Sequence, residues 1–188
     1  EIVLNQLHKH TRLQTSFAVN MLAMNAGLPK QMGLREILHA FCEFRKEVVT
    51  KRTIFLLEKS RERAHILAGL LVAIVSIDQI IELIKSSKST EEARNSLKEI
   101  KWPAETVEKF IALIDDPSSK VENGKYQLSD TQVKSILELR LQRLTGMERD
   151  KLSEEAENLS KQIANYIDIL SNEIRLKSVL IDELENTL

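Results

Sequence analysis

Two stretches of this chain are almost free of the residues that stop helices. From Leu34 to Lys85 there is no Pro and Gly69 is the only Gly, and from Met147 to Leu188 there is neither. In the first, apolar residues recur at Leu34, Ile37, Leu38, Phe41, Val48, Phe55, Ile66, Leu70, Ile74, Ile77, Ile81 and Ile84, the spacing that keeps one side of an α-helix apolar. In the second, Leu152, Ala156, Leu159, Ile163, Tyr166 and Leu170 alternate steps of four and three, a coiled-coil seam. Ile174, Lys177, Ile181, Leu184 and Leu188 continue it after an extra step of four, a stutter. A helix over 34–85 would be roughly 75–80 Å long at ~1.5 Å per residue and needs a partner along its length. The expected fold is therefore mainly α: a long antiparallel coiled coil with an outgoing helix over 34–85, a small globular helical tip over 86–146, and a returning helix over 147–188. Gly69 and the stutter near Leu170 to Ile174 are candidate hinges.

Composition agrees. Aromatic residues make up 4% of the 188, with 5 Gly and 3 Pro, too little sheet and turn chemistry for a β protein. The charge sum of -1 excludes a chain that is basic throughout and holds nucleic acid by bulk charge. Its distribution is uneven. Between Lys30 and Ala64 nine basic residues stand against five acidic, and between Glu148 and Leu188 five stand against ten. Either the two helices have complementary flanks, or each run is a solvated face.

Residues 1–33 differ. Glu1 opens a stretch that reads as strand, so a natural N-terminus is not expected there. Leu13, Thr15, Phe17, Val19 and Met21 alternate, which predicts a strand to Met24. Asn25 to Pro29 reads as a turn and Lys30 to Met32 as a short return strand. One hairpin is not stable alone, so this end is expected to lean on further chain. In the tip, Ser89 with Glu92 and Ser129 with Gln132 are capping boxes. They open helices to about Ile100 and Thr145, with Gly146 just beyond the second. Trp102-Pro103 starts another helix to about Ile114, followed by a loop over 115–124.

Few residues invite chemistry. His8, His10, His39 and His65 lack metal-ligand spacing with Cys42 or the carboxylates, so exposed or satisfied histidines are expected and no metal. Cys42, a lone cysteine beside Phe41, is expected to be a small buried hydrophobe in a reduced, cytoplasmic setting. No Gly-rich phosphate loop is present, and no apolar run is long enough to span a bilayer. Arg45, Lys46, Lys51 and Arg52 form the one basic cluster. It would face DNA phosphates or be a solvated face. On the helix opened by Ser129, Val133, Ile136, Leu137, Leu141 and Leu144 share one side, while Leu139 points about 200° away from its neighbours two positions off. That second direction needs another neighbour, either the short tip helices or a second chain.

Several runs are more specific: Val3 to Leu7, Leu13 to Phe17, Asn20 to Ala23, Gly27 to Lys30, Phe44 to Thr53, Arg63 to Leu67, Ile77-Asp78, and Ile136 to Gly146. In this order, and over nearly the whole chain, they resemble the A subunits of the bacterial type IIA DNA topoisomerases, gyrase and topoisomerase IV. Leu13 to Phe17 and Leu139 to Gly146 are closer to the gyrase branch. The resemblance implies the connector and exit gate of an enzyme that passes one DNA duplex through another. It implies a homodimer through the tip, with Ile136, Leu139, Arg140 and Arg143 as interface candidates, a B subunit that hydrolyses ATP, Mg²⁺ for cleavage, and double-stranded DNA as substrate. The family's nucleophilic Tyr lies in a winged helix upstream. Tyr126 and Tyr166 match no part of that motif, so this stretch alone is expected to be inactive, without catalytic residue or cofactor. A helical scaffold for protein partners, with no DNA role, is the alternative that pattern and charge alone leave open.

Overall fold

A computed structural model describes residues 1–103, 108, 110–111, 124–138 and 146–187, and of 146–148 the backbone alone. Contacts divide the chain into two compact units, Glu1–Glu47 and Val48–Leu188. The first holds α1 (Ile2–His10), a hairpin of β1 (Leu22–Asn25) and β2 (Leu28–Gln31), and the start of α2 (Leu34–Val75). The strand expected at Glu1 is thus a helix, with no buried residue. The strand expected over Leu13 to Met24 shrinks to β1, because β2 offers a ladder of only four partners, from Gln31 opposite Leu22 to Leu28 opposite Asn25. Between them Ala26 and Gly27 take φ of 50° and 80°, the two positive values that a two-residue type I′ turn requires. The Gly33 N–H then donates to the Glu36 carboxylate at 2.9 Å, satisfying one donor left over at the start of α2. Met32 is the one buried residue among these 47; Leu34, Leu38, Phe41 and Phe44 are exposed along α2. Cys42 is exposed too, against expectation, because no second layer covers this part of α2 within its unit.

In the second unit the rest of α2 is followed by α3 (Ile77–Ser86), α4 (Thr90–Glu99), β3 (Lys101–Pro103), β4 (Lys125–Gln127), α5 (Asp130–Leu137), α6 (Gly146–Ser171) and α7 (Glu173–Glu185). Glu108, Phe110 and Ile111 are helical as well. The single outgoing helix is two helices, turned by 88° at Ser76. Apolar spacing runs straight through this break, so periodicity gave no sign of it. Packing decides: Ile80 goes inside at 1% exposure while Ile84 stays 39% exposed. No single helix among the described residues is long and apolar enough to cross a membrane. Ser89 caps α4 as expected, accepting from Glu92 N at 3.2 Å, but the Glu92 carboxylate accepts from Lys88 N rather than from Ser89. Pro103 lies in a strand, not at the first position of a helix. Gly146 begins α6, and residues 139–145, where the preceding helix is expected to end, lie outside the described residues. The loop expected over 115–124 lies outside the described residues except for Gly124.

The later part of α2 and α6 run antiparallel. Going back along α2, the Ile74 carbonyl accepts from Arg149, Arg63 bonds Glu155, and Val49 packs with Ile169, so one set of numbers rises as the other falls. The stretch read as a seam lies on α6. Ile163 is fully buried, Ala156 is buried and Leu152 is half-buried, while Leu159, Tyr166 and Leu170 pack on the core. On α2 the inward face carries Val49, Thr53, Leu57, Ala64 and Ala68, not Val48 and Phe55. Small side chains at Ala64 and Ala68 let the neighbouring helices approach closely.

Beyond Ser171 the returning helix does not continue. Val49 and Arg52 are three residues apart on α2, yet their partners Ile169 and Glu183 would be about 21 Å apart on an unbroken helix. The chain therefore turns at Asn172, whose carbonyl oxygen Oδ1 caps α7 by accepting from Ile174 N and Arg175 N. The turn rephases the apolar stripe. Leu176 and Val179 face Val49, while Ile174 and Ile181, expected in the seam, are 80% and 53% exposed. Of the two candidate hinges, the stutter coincides with a break and Gly69 does not.

Candidate functional site

The polar chemistry of the second unit converges where α5 meets α2. The local sequence fixes the start of α5: Ser129 Oγ accepts from Gln132 N, and Gln132 Oε1 accepts from Ser129 N at 2.9 Å, a complete capping box. Gln132 is fully buried. Its amide nitrogen donates to the His65 carbonyl at 2.6 Å and to the Tyr126 phenol oxygen at 2.7 Å. With the oxygen already used, both donors and the acceptor of this amide have partners, as a buried amide requires. The His65 ring reaches Ser129 Oγ at 2.7 Å, so His65 holds α5 through both its backbone and its ring.

Around this node lie Trp102 and Tyr126, both 1% exposed, opposite one another in the β3–β4 ladder. The Trp102 indole donates to the Leu97 carbonyl at 3.0 Å. At the first residue of α5, Asp130 accepts from Lys98 at 2.7 Å and from Arg94 at 3.0 Å, tying α4 to α5. These bonds hold its carboxyl below the usual carboxylate range. The ladder was missed because three-residue strands carry no measurable period. Gln132 was legible only as a cap, and Gly69, the lone Gly of its stretch, only as a hinge candidate.

Of the interface candidates, Ile136 is 5% exposed and belongs to the chain's own core. Leu139, Arg140 and Arg143 lie outside the described residues. The basic cluster does not share one face. At ~100° per residue Arg45 and Arg52 fall on one side of α2, while Lys46 and Lys51 point about 100° and 240° from Arg45. Arg52 is committed to an ion pair with Glu183. Among the described residues no group of three or more His, Cys, Asp or Glu comes together to hold a metal ion.

The family model for the A subunit of DNA gyrase/topoisomerase IV matches residues 1–185. The chain belongs to this family. The DNA gyrase A protein of Rickettsia felis is 47% identical over 184 residues, covering 98% of this chain and 20% of that protein. The gyrase A proteins of Granulibacter bethesdensis and Pseudomonas aeruginosa are each 42% identical over 98% of the chain. This gyrase/topoisomerase IV chain spans about a fifth of the length of the curated relatives it matches. Its matched residues run from α1 to the last turn of α7, so the node around Gln132 falls within the matched region.

Proposed function

We propose that this chain is the connector and exit-gate part of the DNA gyrase A protein, within an enzyme that supercoils DNA by ATP-driven double-strand passage. The observation that carries the reading is the antiparallel pairing of α2 with α6 in a chain of this family, with α5 keyed onto α2 between them. Such a paired arm carries a contact surface as a stiff body. In the assembled enzyme the arms of two A subunits meet at their tips, hold the dimer together while the DNA gate is open, then part to release the passed duplex. A two-state contact of this kind switches rather than yields gradually. The same region of topoisomerase IV is the runner-up; the gyrase names of the relatives favour the first.

In this reading Leu139, Arg140 and Arg143 form the two-fold contact, the same patch meeting itself, and Ile136 supports it from inside the core. ATP belongs to the B subunit, Mg²⁺ to the cleavage centre, both outside this chain. Tyr126 and Tyr166 act in packing, supported by the bond from Gln132 to Tyr126 and the contact of Tyr166 with the core. The chain by itself is inactive, and the enzyme works in the cytoplasm with two A and two B subunits on double-stranded DNA. In this reading the basic cluster of Arg45, Lys46, Lys51 and Arg52 meets DNA phosphates without reading sequence.

Sedimentation equilibrium of this chain at micromolar concentration tests the reading. A mass twice 21.5 kDa is expected, falling towards the single-chain value in Leu139→Glu. A monomer at all concentrations overturns the gate assignment, and an unchanged dimer in Leu139→Glu overturns that residue's role.

A further inference from the structure

Gly69 and Gln132 fit each other in a way that an ordinary helix contact does not. A Cβ on Gly69 would lie 2.7 Å from Gln132 Cγ and 2.8 Å from Gln132 Cβ. These atoms are the root of the side chain, so rotating its outer bonds does not clear the overlap; α5 itself would have to move. Gly in a helix interior is destabilising relative to Ala, and here the lost side chain is what lets α5 seat. One turn before Gly69, the His65 carbonyl accepts the Gln132 amide, while the His65 ring holds the N-cap Ser129. Steric fit and bonding therefore fix α5 at the same turn of α2.

We propose that Gly69 and Gln132 form a keyed joint that makes arm and gate helix one rigid body, so that the exit gate opens by parting two such bodies and not by α5 peeling from α2. This rests on the gate reading above and adds which contact stays closed during opening. Two features support it. The joint has no loose polar group to trade with water, since the Gln132 amide has all its partners inside. Asp130, bound to Arg94 and Lys98, independently ties the start of α5 to α4. A swivel of α5 would break both sets of bonds at once.

The test is a spin-label distance within one chain, between Glu58→Cys on α2 and Lys134→Cys on α5, both exposed, in a Cys42→Ser background and diluted with unlabelled chain. One narrow distance is expected, identical in the dimer and in monomer obtained by dilution or by Leu139→Glu. A distance that changes between dimer and monomer overturns the proposal. Gly69→Ala should displace or broaden it and weaken the dimer by roughly tenfold, an overpacking effect. In a Gln132→Gly background, where neither Cβ nor Cγ is left to meet it, Gly69→Ala should then change nothing further. Gln132→Met keeps the bulk but removes the bonds, so it covers the case in which Gly69→Ala fails to fold. It should broaden the distance with helix content retained, and an unaltered distance in a folded Gln132→Met chain overturns the joint. A wild-type chain that never dimerises defeats the gate reading alone, because the variants still report on the joint.

Discussion

Arg63 on α2 donates from Nε to the Glu155 carboxylate on α6 at 2.7 Å, with the two side chains 49% and 33% exposed. The pair joins the basic outgoing helix to the acidic returning one, and Arg52 with Glu183 repeats the same polarity on α7. Of the two readings of the charge asymmetry, complementary flanks are the one that the ion pairs support. Exposure limits their worth, and Glu155→Gln should cost only about 0.2–1 kcal/mol in urea unfolding. The loss should shrink at about 1 M salt, where charges are screened within ~3 Å. A cost that does not change with salt would mean that Glu155 acts through packing.

Asp130 gives the chain a definite acid response. Its carboxyl is held below the ordinary 3.8, first by the bond from Lys98 and then by Arg94. A depressed carboxylate contributes stability above its unfolded pKa and loses it as pH falls through the folded value. Asp130→Asn should therefore lower the melting temperature at neutral pH. The gap between wild type and variant should close as pH drops below about 4. Melting scans across that range check it; a gap that is constant with pH would mean that the ion pairs contribute nothing.

The rephased stripe makes a sharp pair of substitutions. Ile163 is fully buried in the α6 seam and Ile174 is 80% exposed on α7, although sequence spacing places both in one stripe. Ile163→Ala should cost about 2–5 kcal/mol, and Ile174→Ala should stay within about 0.5 kcal/mol. Chemical denaturation of both variants decides whether the stripe turns at Asn172. Equal losses would restore the continuous helix.

What was legible follows from how local the cause is. The caps at Ser89 and Ser129 are set by neighbours within a turn, and each stands where the sequence places it. The bend at Ser76 is set by which of Ile80 and Ile84 finds a core, and the exposed Cys42 by what does not cover it. Neither is a property of the local sequence. The joint brings Gln132 to Gly69 from a distant part of the chain, so its two halves read separately as a cap and a hinge. The proposed gate residues Leu139, Arg140 and Arg143 rest on the family resemblance, with Leu139 singled out by its second apolar direction on the helix.

Asn172 is where a local signal and a long-range turn meet. Nothing in its neighbourhood resembles a Gly or Pro stop, yet its Oδ1 accepts from Ile174 N at 3.0 Å and Arg175 N at 3.4 Å. That replaces the intrahelical bonds given up when α6 ends. Ala at this position favours an unbroken helix and offers no acceptor, so Asn172→Ala should cost about 0.5–2 kcal/mol. Asn172→Asp, which keeps the acceptor, should cost little. Hydrogen exchange gives the sharper readout. In Asn172→Ala the amides of Ile174 and Arg175 should lose protection first, while those of α6 around Ile163 keep theirs. Uniform loss along α6 and α7 would mean that the turn is held by the packing of Val49 against Ile169 and Leu176, with the cap only following it.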